Sequence, residues 1–187
     1  YSVGVAYNNR KTSLQFIQQE MNNITALSNE TCQLGIQSRN MVLYIAKKDS
    51  PQPIRLMSSV GKQLPLYCTG LGRALLAYKS EEEIRSLFPE VLTAYTPHTI
   101  ATINDLLKEL ELTRQRGYAV EHEETNLMVN CIAVSLDYNN APIAALSISI
   151  PTFRISESKE KEAVQILWEA KQHIETHFKM YGVDFGN

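Results

Sequence analysis

Two stretches of this 187-residue chain carry groups able to do chemistry. In the first, Thr69-Gly70-Leu71-Gly72 leads directly into the helical run Arg73-Ala74-Leu75-Leu76-Ala77. Glycines at a helix start let the backbone turn sharply and bare its amides. The first N–H groups of a helix lack internal partners and sit at the positive end of its dipole, a place that suits a small carboxylate. A plain turn into a buried helix fits the same spacing, and spacing alone leaves both readings open. The nucleotide motifs fail here: there is no third glycine of a dinucleotide fingerprint and no Gly-Lys-Ser/Thr of a phosphate loop. In the second stretch, strand alternation puts Cys131, Ala133 and Ser135 on one face, with Ser147 and Ser149 sharing a face of the strand that follows. Leu146, Ile148 and Ile150 take the opposite, greasy face. A face of small polar residues offers room and hydrogen-bonding groups, whereas a solvent face more often carries Lys, Glu or Thr.

Other reactive groups are less well supported. Cys68 with His98 or His122 would make a cysteine-hydrolase pair, but nothing local activates the thiol, and a lone thiol is more often structural. His173 and His177 stand at i, i+4, a spacing able to clamp zinc, yet no third ligand is evident and a solvated helix face explains them better.

These groups need elements to hold them. Thr12 to Asn29 reads as an amphipathic helix through Leu14, Ile17, Met21, Ile24 and Ser28. Cys32–Ser38 and Met41–Lys48 read as a hairpin around Arg39-Asn40, and Ile54–Ser59 as a third strand. Ser80-Glu81-Glu82-Glu83 is a capping box for a helix ending near Phe88-Pro89. A further helix runs from Asn104 to Arg116, stopped by Gly117. Strands Cys131–Tyr138 and Ile143–Ile150 flank the turn Asn139-Asn140-Ala141-Pro142, and Ser156–Tyr181 is a closing helix. The pattern is α+β, an antiparallel sheet flanked by helices with one face covered and the other free for a ligand.

Composition is that of a globular domain, with 44% hydrophobic and 20% charged residues. A formal charge of −2 argues against a surface that coats nucleic acid. No apolar run approaches membrane-spanning length, and no signal-peptide pattern opens the chain. The three scattered cysteines, Cys32, Cys68 and Cys131, read as reduced thiols of a cytoplasmic protein. Tyr1 rather than Met opens the chain, which leads us to expect a fragment of something longer.

Gly61-Lys62-Gln63-Leu64-Pro65-Leu66-Tyr67-Cys68-Thr69-Gly70-Leu71-Gly72-Arg73-Ala74-Leu75-Leu76-Ala77 resembles the signature of the effector-binding domain of IclR-type bacterial transcription regulators, roughly Gly-x-x-Leu-Pro-Leu-His-Ala-Thr-Ala-x-Gly-Lys-Ala-x-Leu-Ala. The likeness extends to Tyr1-Ser2-Val3-Gly4, to His98-Thr99-Ile100-Ala101-Thr102, and to Arg114-Gln115-Arg116-Gly117-Tyr118-Ala119, and it spans nearly the whole chain. It implies a GAF-like fold. It also implies that residues 1–11 are the end of an inter-domain linker, that 12–187 form the effector-binding domain, and that an N-terminal winged helix-turn-helix is absent from this chain.

Carried over position by position, the resemblance implies that the amides of Gly70 and Leu71 hold an effector's carboxylate. Cys131 matches the cysteine of the family's Cys-Ile-Ala, and Ser147 and Ser149 match two polar pocket positions. Glu121 falls where the family has Asp, ahead of the acidic pair Glu123-Glu124, and Leu56, Leu64 and Val129 match apolar walls. Three residues depart from the pattern: Glu121 is one methylene longer than Asp, Met128 stands where Gly is usual, and Ser135 replaces a common Pro. The expected function is the sensing half of a transcription regulator that binds a small organic or sugar-derived acid. It would need no cofactor and no metal, pair with itself as a dimer or tetramer, and reach operator DNA only through the missing domain. The rival readings are a small hydrolase or lyase using Cys131 or Cys68, and a dimerisation module with no ligand.

Overall fold

The computed structural model of the chain describes residues 12–54 and 59–185. Helix α1, Ser13–Ser28, starts where Thr12 accepts from the Gln15 amide (3.2 Å) and Gln15 accepts from the Thr12 amide (2.9 Å). This reciprocal cap satisfies two first-turn donors. Asn29 ends the helix in the left-handed conformation that its short side chain tolerates. Strands β1 (Thr31–Ser38) and β2 (Met41–Lys48) form the expected hairpin.

The strand expected at Ile54–Ser59 falls largely outside the described residues. Ile54 and Ser59 lie outside any strand, and 55–58 fall outside the described residues. The partner of β2 is β3, Gln63–Pro65. Only three residues long and ending in a proline, β3 fits a sheet edge, where the missing N–H is harmless. Helix α2 (Gly70–Leu76) follows, then α3 (Glu81–Leu87) on the Ser80/Glu83 capping box and α4 (Ile103–Arg116), which Gly117 ends at φ 81°.

Strand β4, Ala119–His122, is also absent from the pattern reading, since four residues are too few for alternation to declare itself. Strands β5 (Val129–Tyr138) and β6 (Ala141–Pro151) meet at a turn of two residues rather than four. Asn139 and Asn140 both take positive φ, while Ala141 and Pro142 already pair with Tyr138 and Asp137. Helix α5, Glu157–Tyr181, closes the chain.

The six strands make one antiparallel sheet in the order β3-β2-β1-β6-β5-β4. On one face Ile132, Val134, Leu146 and Ile148 pack against Ile17, Met21 and Ile24 of α1 and Leu167, Ile174 and Phe178 of α5. Each such side chain, once buried, contributes about 1.5–3 kcal/mol.

The other face is not free, as the pattern reading has it. Helix α2 lies across it, with Leu71, Ala74 and Leu75 against Ala133 and Ala145, backed by Ile84 of α3 and by Ile103, Leu106 and Leu110 of α4. The small residues that suggested open room instead let a helix settle onto the strands. Gly70 serves this close approach and Gly72 the approach of α2 to the turn at Leu66; neither makes a sharp turn, for both are helical and neither has positive φ. A Cβ on Gly72 would stand 2.2 Å from the Leu66 carbonyl oxygen, and one on Gly70 would stand 3.3 Å from the Cys131 Cβ.

Candidate functional site

Sheet register assembles the site. Glu121 of β4 pairs with Cys131 of β5, Cys131 pairs with Ser149 of β6, and Ser147 lies between Ala133 and Gln33 of β1. The side chains form a polar row beside the first turn of α2. The Cys131 thiol and the Ser149 hydroxyl are 3.2 Å apart, and Ser149 donates to Gln33 Oε1 at 3.0 Å. Ser147 is 1% exposed, and its hydroxyl has no hydrogen-bond partner among the described residues. An unsatisfied buried hydroxyl costs about 1–3 kcal/mol.

Thr69 shapes the donor side. Its hydroxyl accepts from the Gly72 amide (3.1 Å) and its carbonyl from the Arg73 amide (3.0 Å). The preceding two amides, of Gly70 and Leu71, belong to the first turn, which has no intrahelical acceptors. Arg73 faces away from the cleft and is 2% exposed. Its guanidinium donates to the carbonyls of Tyr67 (3.0 Å) and Val120 (2.9 Å) and pairs with the Glu124 carboxylate, fixing β4 and the following loop to α2.

That loop is built around Glu121. Its Oε1 accepts from the amides of Glu124 (2.5 Å) and Thr125 (3.3 Å). Burial raises its carboxyl to about 7 and outweighs those hydrogen bonds, which lower it. Glu123 accepts from the Met128 amide (2.7 Å), and Met128 itself sits at φ 71°, a left-handed position where glycine is at ease.

One cleft gathers Gly70, Leu71, Glu121, Cys131, Ser147 and Ser149, with Leu64 and Val129 as half-buried walls. Leu56 lies outside the described residues. The cleft also takes in Gln33, Tyr44, Lys62, Thr69, Thr125 and Asn126, which sequence reasoning missed. Gln33 was findable by alternation within β1, whereas Lys62 and Tyr44 arrive through pairing with other strands and leave no local signal. The cavity volume is about 30 Å³, room for one or two waters.

Burial keeps both candidate thiols in the protonated form. Burial first, then the nearby Glu121 charge, pushes the Cys68 thiol up to about 12 and raises the Cys131 thiol well above its ordinary value. His122 bonds to Asn130 (3.0 Å), His98 lies 4.0 Å from the Glu123 carboxylate, and His177 stacks on Phe16 while His173 meets Glu20 (3.1 Å). Among the described residues, no cluster of three His, Cys, Asp or Glu side chains could hold a metal ion, and no helix is long and apolar enough to cross a membrane.

Comparison with known proteins matches residues 7–176 to the family described as Bacterial transcriptional regulator IclR C-terminal. The HTH-type transcriptional regulator KdgR of Dickeya chrysanthemi is 38% identical over 157 residues, 83% of this chain and 52% of that protein. The HTH-type transcriptional repressor AllR of Escherichia coli K12 is 32% identical over 178 residues, 94% of this chain and 66% of that protein. The chain thus spans between half and two thirds of the length of these relatives. The crystal structure of the C-terminal domain of the E. coli regulator KdgR superposes with a TM-score of 0.79 at 32% identity, covering 88% of this chain and 96% of that one. The fold is the GAF-like one of such domains. By sequence, by fold and by the segment matched, this chain belongs to the IclR family of bacterial transcriptional regulators, in the place of their C-terminal domain.

Proposed function

We propose that the cleft between α2 and the β4-β5-β6 face is an effector site and that a small organic or sugar-derived acid is its ligand. The observation that carries this reading is the buried Ser147 hydroxyl, which has no partner among the described residues and lines the cleft. In this reading the amides of Gly70 and Leu71 take a carboxylate. Ser147, Ser149 and Glu121 take hydroxyl or carbonyl groups at the other end, with Cys131 as wall beside Leu64 and Val129.

A cavity of about 30 Å³ does not hold such a molecule, so binding is coupled to separation of α2 and the Glu123–Met128 loop from the sheet. A ligand that binds only the opened state shifts the population toward it. That shift is the signal passed to a DNA-binding domain, which alone touches operator DNA. In this reading the protein works in the cytoplasm as a homodimer or tetramer and turns over no substrate, which the protonated state of both buried thiols supports.

A thermal-shift screen of small carboxylates and sugar acids tests the proposal. At least one raises the melting temperature in a saturable way, and its neutral analogue lacking the carboxylate does not. If neutral analogues stabilise as well as the acids, the amide assignment is wrong.

A further inference from the structure

The effector cleft holds one phenol that has been given no task. Tyr44 lines the cleft and is 8% exposed, and its hydroxyl makes no hydrogen bond among the described residues. A buried tyrosine hydroxyl ordinarily finds a partner, since its ring is apolar and its tip is not. Tyr67, in the same hydrophobic layer, does so by donating to the Thr93 carbonyl at 2.7 Å. Tyr44 does not.

The backbone sets where this phenol stands. Strand β2 places Tyr44 in the layer beneath α2, opposite Gly35 of β1. Its amide donates to the Lys62 carbonyl (3.0 Å), and its own carbonyl accepts from the Gly61 amide (2.8 Å), which ties the root of the side chain to the turn before β3. Burial first, then the neighbouring Cys131, Glu121 and Cys68, raises the hydroxyl well above its ordinary value. The phenol therefore stands among the groups of the polar row and keeps its proton near neutral pH.

Most buried hydroxyls of the cleft have spent their protons. Ser149 donates to Gln33 Oε1 (3.0 Å) and Thr69 to the Pro65 carbonyl (3.2 Å). Ser147 and Tyr44 donate to nothing among the described residues. Lys62, Thr125 and Asn126 bring further donors, but none of these residues is buried, and water serves them at the rim. Because Tyr44 and Ser147 are both rooted in the sheet, separation of α2 leaves them together. An acid that displaces water from the cleft must give the phenol an acceptor or leave a buried donor bare. A site built in this way discriminates strongly against an analogue lacking the matching group.

We propose that Tyr44 determines specificity in this cleft: its hydroxyl donates to an oxygen on the chain of the bound acid, so the site takes acids with such an oxygen and rejects alkanoates of the same length. This assignment rests on the effector reading of the cleft and adds to it a residue and a requirement on the ligand.

Calorimetric titration of the chain with pyruvate and levulinate, each beside the alkanoate of equal length, propionate and valerate, tests it. The two oxo acids set the carbonyl at two distances from the carboxylate. Wild type should prefer at least one oxo acid to its alkanoate by about tenfold. Tyr44→Phe should weaken that oxo acid about five- to tenfold and leave the alkanoate unchanged. It should melt no lower than wild type, because the hydroxyl has no partner in the chain to lose. No preference for either oxo acid, absence of binding included, would overturn the proposal. So would a loss in Tyr44→Phe that falls equally on oxo acid and alkanoate, which would mean that the ring and not the hydroxyl matters. Ser147→Ala separates the two levels of failure. If it weakens the oxo acid where Tyr44→Phe does not, the cleft stands as the site and the role of Tyr44 falls. If neither variant weakens it, the acid binds elsewhere and both readings fall.

Discussion

Glu121 makes the site sensitive to pH. Its carboxyl is held near 7 in the folded chain, against an ordinary value of 4.5, because it is buried. The folded state therefore binds more protons than the unfolded state between about pH 4.5 and 7, and stability falls as pH rises through that window. Above pH 7 the full penalty applies, on the order of 3 kcal/mol. Glu121→Gln removes it while keeping an oxygen for the amides of Glu124 and Thr125. The variant should match or trail the wild type below pH 4.5 and gain on it steadily up to pH 7, as read from chemical denaturation across that range. A stability difference that is flat with pH, or that favours the wild type at high pH, would show that the carboxyl titrates normally. Met128 is the second case. Its φ of 71° strains a non-glycine residue, and its side chain is 58% exposed, so little packing is at stake. Met128→Gly should stabilise the fold by about 0.5–1 kcal/mol in urea unfolding, the strain relieved exceeding the entropy that glycine adds to the unfolded chain.

At the scale of elements, α2 determines whether there is a cleft at all. Its glycines differ in kind: Gly72→Ala drives a Cβ into the Leu66 backbone, which cannot swing aside, and should cost more than about 3 kcal/mol. Gly70→Ala meets only the Cβ atoms of Cys131 and Ala133, at 3.3 and 3.4 Å, and should cost about 1 kcal/mol. Arg73→Met leaves Glu124 buried without its partner and should cost about 3–5 kcal/mol, measured by the same unfolding curves. The five helices were legible in the sequence because each announces its ends, as Thr12, Ser80, Thr102 and Ser156 accept from first-turn amides and Gly117 stops α4. Strands β3 and β4 were not legible: three and four residues hold too little alternation, and their places are set by pairing with β2 and β5. Nor was the seating of α2, for the same small face reads equally as room for a ligand and as room for a helix.

In the whole molecule, two hydrophobic layers clamp one sheet, and the polar row from Gln33 through Ser149 and Cys131 to Glu121 interrupts the layer beneath α2. Alternation and family likeness brought Gly70, Leu71, Glu121, Cys131, Ser147 and Ser149 into view before the fold was known, and one cleft gathers them. Neither signal reports how far apart the walls stand, because that distance follows from packing across three elements. Buried, unpartnered polarity is what a ligand would satisfy, and Ser147 concentrates that argument in one atom. Ser147→Ala removes a hydroxyl that the free protein buries at a loss and that a bound acid would engage. Its effects on the free and the bound states should thus have opposite signs. The deciding measurement is the melting temperature of wild type and Ser147→Ala with and without the carboxylate found by screening. The account predicts that the variant melts higher than wild type when free, by the equivalent of about 1–2 kcal/mol, and gains less from the ligand, with affinity down about five- to tenfold. A variant that melts no higher alone and takes the ligand as tightly as wild type would contradict the account and move the binding site elsewhere.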